Sequence, residues 1–398
     1  MIHRKIFYKI APLINARLEK IYSGQETLVI ILSAIFILAF IIQLYFYSVY
    51  LIRALFKKKI PYSKEGTGKV PVSIILCAKN EAENLRKNLP LILEQDYENY
   101  EVIVVNDRSE DETEDILRIM CTKYPHLRVS SVRNDPKFTF GKKLALMLGI
   151  KAAVNEWLLL TDADCYPAGK NWLSVMQSNF REDIDIVLGY GGYKKEPGLL
   201  NLIIRFDTAF TALFYIGMAR AGKPYMGVGR NLAYRKSLFF KNKGFASHAN
   251  LSSGDDDLFV NETANAGNTA TEINPESFTW STAEKKYHDW YWQKKRHLTT
   301  GIRYKPGSKN RLIIENTSRI LLLISMISLL WESPFATYIL AAFGFIYLFK
   351  AIVFKIFFTR LKESYLFLPS LIIEPVIPYF YAYLHFRNYI ERNRNKWN

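Results

Sequence analysis

Cysteine is scarce in this sequence: Cys77, Cys121 and Cys165 are its three, scattered without paired spacing. That excludes a disulfide framework and a zinc knuckle, and it fits a reducing compartment. Glycine is missing between Gly68 and Gly141. The first strand–loop–helix connection therefore cannot be a glycine-rich cradle that binds a dinucleotide through backbone amides. Negative charge is the minority sign, with 37 acidic residues against 53 basic ones and a net charge of +16. The surplus does not point to nucleic acid, because the central region lacks Lys/Arg clusters with interleaved aromatics. Much of it flanks apolar runs instead, at Lys57, Lys58 and Lys59, at Lys350, Lys355, Arg360 and Lys362, and at Arg392, Arg394 and Lys396. Such clusters favour the cytoplasmic face and anionic lipid. Internal repeats and low-complexity segments are also absent, which removes solenoids and interaction tails from consideration.

What is present divides the 398 residues into more than one structural unit. After a basic N-terminal segment (1–27), residues 28–52 read LVIILSAIFILAFIIQLYFYSVYLI, long enough to cross a bilayer as a helix spanning 28–54. The run starts too late, is too long and lacks the small-residue cleavage site expected of a signal peptide. A second apolar zone, 312–386, holds ILLLISMISLLW (320–331), FATYILAAFGFIYLFKAIVFKIFF (335–358) and YLFLPSLIIEPVIPYFYAYL (365–384). Two or three transmembrane or interfacial helices are expected there. The first would include Glu315 and Arg319 if it began at Leu312, and the third, with Glu374 and three prolines, could be re-entrant or interfacial. A basic tail, 387–398, follows. LFKKK at the end of the first run favours a cytoplasmic central domain in a multi-pass (inner) membrane protein.

The central region, 60–311, alternates strand and helix patterns. Val70–Cys77 and Tyr100–Val105 are short apolar runs of the kind buried on both faces of a parallel sheet. Arg128–Val132 and Trp157–Thr161 read as two more strands, with helices from Asn84 to about Leu93 and from Gly141 to Ala153. Ser109 or Asp111 is expected to cap the helix that carries Ile116 and Leu117. This pattern implies a doubly wound sheet with its ligand site beyond the carboxyl ends of the strands. Asn80 and Glu81, Asp107, and Asp162 with Asp164 each follow a strand at that edge. Carboxylates so gathered repel one another unless a divalent cation sits among them, and such a cation would bridge them to phosphates.

These stretches resemble those of family-2 glycosyltransferases, which use the nucleotide-sugar-binding GT-A fold, and in particular of membrane-bound cellulose-synthase-like and ceramide-glucosyltransferase-like members. The resemblance covers about residues 70–300. It rests on VSIILCAKNEAENL, VIVVNDRSEDET, LLLTDADCYP, SGDDDLF (253–259) and QKKRH (293–297), in that order. It implies that Asn80, Glu81 and Asp107 surround the base and ribose. Asp162 would lie near the ribose and diphosphate, and Asp164 of the DxD motif would ligate Mg²⁺ or Mn²⁺. Lys143, or Lys142 beside it, would add positive charge near the phosphates. The resemblance assigns the general base to Asp256, with Asp255 second.

Three adjacent aspartates cannot all be buried and ionised. One is expected to face solvent, one to start a helix and one to turn into the cleft. Arg230 and Asn231 follow a GxG loop that could approach a sugar or diphosphate closely. Gln293, Arg296 and His297 share one face of a helix by their spacing. In the similar family motif the arginine contacts diphosphate and a tryptophan helps form the acceptor site. His297 stands in that place here, with Trp290 and Trp292 nearby. The expected activity is inverting transfer from a nucleotide sugar, a UDP-sugar first among the candidates, to a lipid-linked or glycan acceptor. A processive polysaccharide synthase and a catalytically silent membrane subunit are the alternatives.

Overall fold

The computed structural model describes residues 24, 26–56, 70–132, 141–251, 253–332 and 335–394. Most of the N-terminal basic segment, the Lys57–Lys59 run and Lys396 lie outside the described residues.

The chain enters through helix α1 (Glu26–Leu55). It then alternates β1 (Val72–Ala78), α2 (Ala82–Leu93), β2 (Tyr100–Asn106), α3 (Thr113–Lys123), β3 (Leu127–Ser131), α4 (Gly141–Ala152) and β4 (Trp157–Leu160). β5 (Tyr166–Pro167), α5 (Trp172–Gln177), β6 (Ile186–Leu188), β7 (Gly191–Tyr193) and the long α6 (Leu199–Arg220) follow. The second half adds β8 (Leu232–Arg235), α7 (Lys236–Lys241), α8 (Asp257–Thr263), β9 (Thr269–Thr271), β10 (Thr279–Ser281) and α9 (Tyr287–Gly301). The C-terminal helices are α10 (Pro306–Glu332), α11 (Ala336–Arg360) and α12 (Phe367–Arg394).

The main sheet has the order β3-β2-β1-β4-β8-β6-β9. β1 is parallel to β2 and β4, β2 to β3, and β6 to β9, while β8 opposes both of its neighbours. A small sheet, β5-β10-β7, lies beside it. The apolar strands are buried on both faces with a period of two. Val72, Ile74, Leu76, Trp157 and Leu159 pack with α2, α3 and α5, whereas Ile75, Ile103, Val105, Leu158 and Leu160 pack with α4 and α6. Full burial of each such aliphatic side chain contributes about 1.5–3 kcal/mol. The mostly parallel sheet with flanking helices is the expected fold class.

Five helices among the described residues are long and apolar enough to cross a membrane. α6 differs from the rest: 72% of its apolar window is covered by protein, against 17% in α1 and at most 39% in α10, α11 and α12. It belongs to the core of the domain, where Phe206, Phe210 and Phe214 join the cluster that includes Phe354 and Phe358 of α11. α10 begins at Pro306, so Glu315 and Arg319 do lie within it, paired at 2.7 Å. α12 is one continuous helix with Pro375 and Pro378 inside it.

Candidate active site

Parallel pairing brings the ends of β1, β2 and β4 to one rim: Ala78 lies opposite Asn106, and Ile75 opposite Leu160. The loops that follow hold each other. Asn80 N–H donates to Ser109 Oγ (2.9 Å), and the Asn80 Oδ1 accepts from Glu110 N–H (2.8 Å). Asn80 and Arg108 have φ of +56° and +54°, left-handed conformations that side chains adopt at a cost. Asp111 does not simply cap α3, because its Oδ2 accepts from Ala82 N–H at the start of α2 (3.1 Å) while Oδ1 accepts from Thr113 N–H (3.1 Å).

The acidic residues converge. The Cys77 thiol, half-buried near the end of β1 and pushed up to about 12 mainly by desolvation, lies in the combined field of Lys142, Asp255, Asp162 and Asp107. Glu81 is shifted upward by burial, countered by its hydrogen bond from Asn84 (2.6 Å) and reinforced by Asp164 and Asp162. Asp107 is buried and accepts from Arg108 Nε at 2.8 Å. Asp162 accepts from Lys142 Nζ at 2.7 Å, and the same ammonium lies 3.4 Å from Asp255. Burial opposes the charge of Lys142, but these two carboxylates hold its pKa well above the ordinary value. Asp164 accepts from Ser281 Oγ of β10 (2.5 Å). Carboxylate oxygens of Asp162 and Asp164, with the Cys165 sulfur, lie within 4.8 Å of one another. The oxygen donors suit a hard cation such as Mg²⁺ or Mn²⁺, which takes phosphate oxygens as further ligands.

Arg230 stacks 4.2 Å from the Tyr193 ring, within electrostatic reach of Asp164 and Asp162. Its carbonyl accepts from Thr161 (3.0 Å) and Thr279 (2.9 Å), which joins the two sheets. Asn231 is not available to a sugar. It is fully buried, accepts from Trp172 Nε1 (3.2 Å) and donates to the Tyr190 and Ser277 carbonyls.

The aspartate triplet differs from expectation, for none of the three is left to open solvent. Asp255 faces Lys142; burial raises its pKa, but the ammonium outweighs burial and the net shift is downward. Asp256 caps α8, with Oδ1 accepting from Asp257 N–H and Oδ2 from Gly229 N–H, both at 2.7 Å. Burial, then its neighbours Asp255 and Asp257, push it up to about 7. Asp257 points away, accepting from Thr300 Oγ1 and from Tyr304 Oη (2.7 Å). Burial raises its pKa against those bonds.

Lys143 is a correction. Its Nζ donates to the His248 carbonyl (2.7 Å) and the Leu251 carbonyl (3.1 Å), so Lys142 is the lysine at the carboxylates. One residue along α4 turns a side chain by about 100°, enough to separate the two tasks. On α9, Gln293 is half-buried, while Arg296 and His297 are exposed. His297 lies in the field of the cations Lys294, Arg296 and Arg230, opposed by Asp255. Trp290 does not replace the missing indole, because it stacks on Phe380 of α12 at 5.0 Å. Gly229, Ser281, Thr300 and Tyr304 had no signal of their own in the sequence beyond the GxG pair that contains Gly229.

Residues 73–241 match the family model described as Glycosyl transferase family 2. Among curated proteins, the chain is 25% identical over 257 residues to Probable glycosyltransferase YdaM of Bacillus subtilis, covering 63% of this chain and 59% of that protein. It is 31% identical over 143 residues to Beta-monoglucosyldiacylglycerol synthase of Trichormus variabilis, covering 35% and 30%. A third relative, Poly-beta-1,6-N-acetyl-D-glucosamine synthase of Staphylococcus epidermidis, is 32% identical over 93 residues, covering 23% and 21%. The chain thus spans less than two thirds of each relative's own length. A solved structure of Mannosyltransferase PcManGT from Pyrobaculum calidifontis, in complex with GDP-Man and Mn²⁺, shares the fold with a TM-score of 0.55 at 20% identity. That likeness covers 88% of this chain and 98% of the other.

Proposed function

This chain belongs to glycosyltransferase family 2 through residues 73–241, and from that premise we propose an inverting, membrane-bound hexosyltransferase. It moves a sugar from a nucleoside-diphosphate carrier, UDP first among the candidates, to a hydroxyl of a lipid-linked or glycan acceptor. Asn80, Glu81 and Asp107 meet the base and ribose. Mg²⁺ or Mn²⁺, held by Asp164 with Asp162 beside it, supplies the positive charge that stabilises a departing diphosphate. Lys142 and Arg230 add fixed cations on the same side of the site. Gln293, Arg296 and His297 border the acceptor and diphosphate. The catalytic domain faces the cytoplasm, with α1, α10 and α11 in the bilayer.

The acceptor hydroxyl gives its proton to Asp256 as its oxygen bonds to the anomeric carbon. The bond from that carbon to the diphosphate breaks on the opposite face, and the nucleoside diphosphate leaves with the electron pair. An α-linked donor therefore yields a β-glycoside. The observation that carries this reading is Asp256 itself, with a pKa of about 7 and both carboxylate oxygens fixed by backbone N–H groups. A general base works best when its pKa lies near the working pH.

The test is a donor screen with Mn²⁺ and Mg²⁺, including UDP- and GDP-sugars, using lipid extract as acceptor. Asp256→Asn should lose about 10²–10⁴-fold in transfer while keeping donor affinity. Normal turnover would move the base elsewhere. Failure of the wild-type protein to release nucleotide from any donor would favour a silent binding subunit. The polysaccharide-synthase relative keeps a processive reading open to the same assay. Product length by mass spectrometry separates single transfer, which the absence of tryptophan at His297 favours, from polymerisation.

A further inference from the structure

We propose that Lys143 is a positioning residue for the general base: its ammonium fixes the backbone of the segment that delivers Asp255 and Asp256. The proposal rests on Asp256 being that base. Lys143 is 7% exposed, and its Nζ donates to two backbone carbonyls, those of His248 and Leu251. Burying an ammonium is costly, and burial indeed holds its pKa down. An apolar side chain could fill the same space without that cost. What the ammonium adds is direction, since three donors on one nitrogen can draw two carbonyls of one loop to a single point.

The loop needs such a tie. It leads to Gly254, whose φ of +100° is a conformation that side chains rarely adopt, and a Cβ there would lie 2.5 Å from Leu258 Cδ1. Beyond that turn stand Asp255, Asp256 and Asp257, three carboxylates crowded together. The far side of the segment is held as well: Glu262, near the end of α8, accepts from Ser247 Oγ at 2.6 Å and faces His248 Nδ1 at 3.3 Å. Lys143 completes this closure from the sheet side. Its neighbour Lys142 joins Asp162 to Asp255, so the first turn of α4 ties the donor carboxylates and the base segment to one rigid helix. Displacing a base by about 1 Å can cost on the order of 10²-fold in rate.

The experiment measures kcat and donor KM for the full-length enzyme carrying Lys143→Met, Lys143→Gln or Asp256→Asn, with nucleotide affinity read separately by calorimetry. Lys143→Met keeps the length and loses the donors. We expect kcat to fall about 10–100-fold, with donor KM and nucleotide affinity within threefold. Lys143→Gln, which restores donors without charge, should recover part of that loss. Full kcat in Lys143→Met overturns the proposal. So does a loss of donor affinity at unchanged kcat, which would place Lys143 at the phosphates. If the Met variant does not fold, Lys143→Gln decides: reduced kcat at unchanged KM supports the role, and unchanged kcat overturns it. Turnover by Asp256→Asn would remove the base assignment itself. An inactive Asp256→Asn beside a fully active Lys143→Met would remove only the positioning role.

Discussion

Asp255, Asp256 and Asp257 are identical and adjacent, yet their surroundings divide them. Asp255 has a cation, Asp257 has two hydroxyl donors, and Asp256 has backbone amides and two like charges. The least compensated of them keeps its proton longest. With Asp256 at about 7, the free enzyme's kcat/KM should rise with pH through about 7 and level off above it. A profile flat from pH 5 to pH 8 would exclude Asp256 as the base. The same shift has a stability sign. The folded form holds this proton up to about 7, whereas the unfolded chain releases it near the ordinary carboxylate value of about 4. The group therefore destabilises the fold increasingly as pH rises across that window, and fully above it. Asp256→Asn should accordingly melt higher than wild type at pH 8 and show little difference at pH 4.5. Sequence could place the triplet at the site through its resemblance, but not divide its labour. The partners come from Lys142, Gly229, Thr300 and Tyr304, which lie between 27 and more than 100 residues away in the chain and meet it only in the fold.

At the level of elements, β1, β2 and β4 were legible within two residues because strands buried on both faces carry unbroken apolar runs. The short β5, β7 and β10 were not, since two or three residues carry no periodicity, and with them Ser281 was missed. The C-terminal helices were legible as apolar runs but not in their ends, because charges inside a run are acceptable once paired. Lys350 of α11 meets Glu374 of α12 at 2.9 Å, Arg319 of α10 lies 3.9 Å from the same carboxylate, and Gln43 of α1 donates to Ser318 of α10 at 2.9 Å. A cavity of about 10 Å³, room for about one water, adjoins Arg319, Lys350 and Glu374. Four helices thus share one buried polar junction. Removing Lys350 takes from Glu374 its near partner and leaves only the more distant Arg319, a loss of up to the about 3–5 kcal/mol typical of a buried pair broken from one side. Lys350→Met should therefore lower the melting temperature in detergent markedly. Lys350→Met combined with Glu374→Gln should recover most of the loss; equal melting of wild type and the single variant would show that the junction contributes nothing.

For the whole molecule, α12 decides how the chain ends. A helix that crosses a bilayer puts its two ends on opposite faces, about 30 Å apart. α12 is held to the catalytic domain near both of its ends. Glu363, just before it, pairs with Arg205 of α6, and Glu391, in its last turn, pairs with Lys295 of α9. Between them Tyr381 donates to Asp207 of α6, and Phe380 stacks on Trp290 of α9. These contacts tie α12 to the domain along its length, so we expect α12 to lie along the membrane interface, with α1, α10 and α11 as the crossing helices. On that three-span expectation, Glu26 at the start of α1 would lie across the membrane from the domain and the end of α12 would lie on the domain's side. A membrane-impermeant maleimide can read this in sealed vesicles of known orientation, with the three native cysteines replaced. Glu110→Cys reports the domain, and a cysteine appended after Asn398 reports the C-terminus. Both should label from the same side, because ion pairs to α6 and α9 cannot form through a bilayer. Labelling from opposite sides would make α12 a fourth span and require its contacts with the domain to break in the membrane.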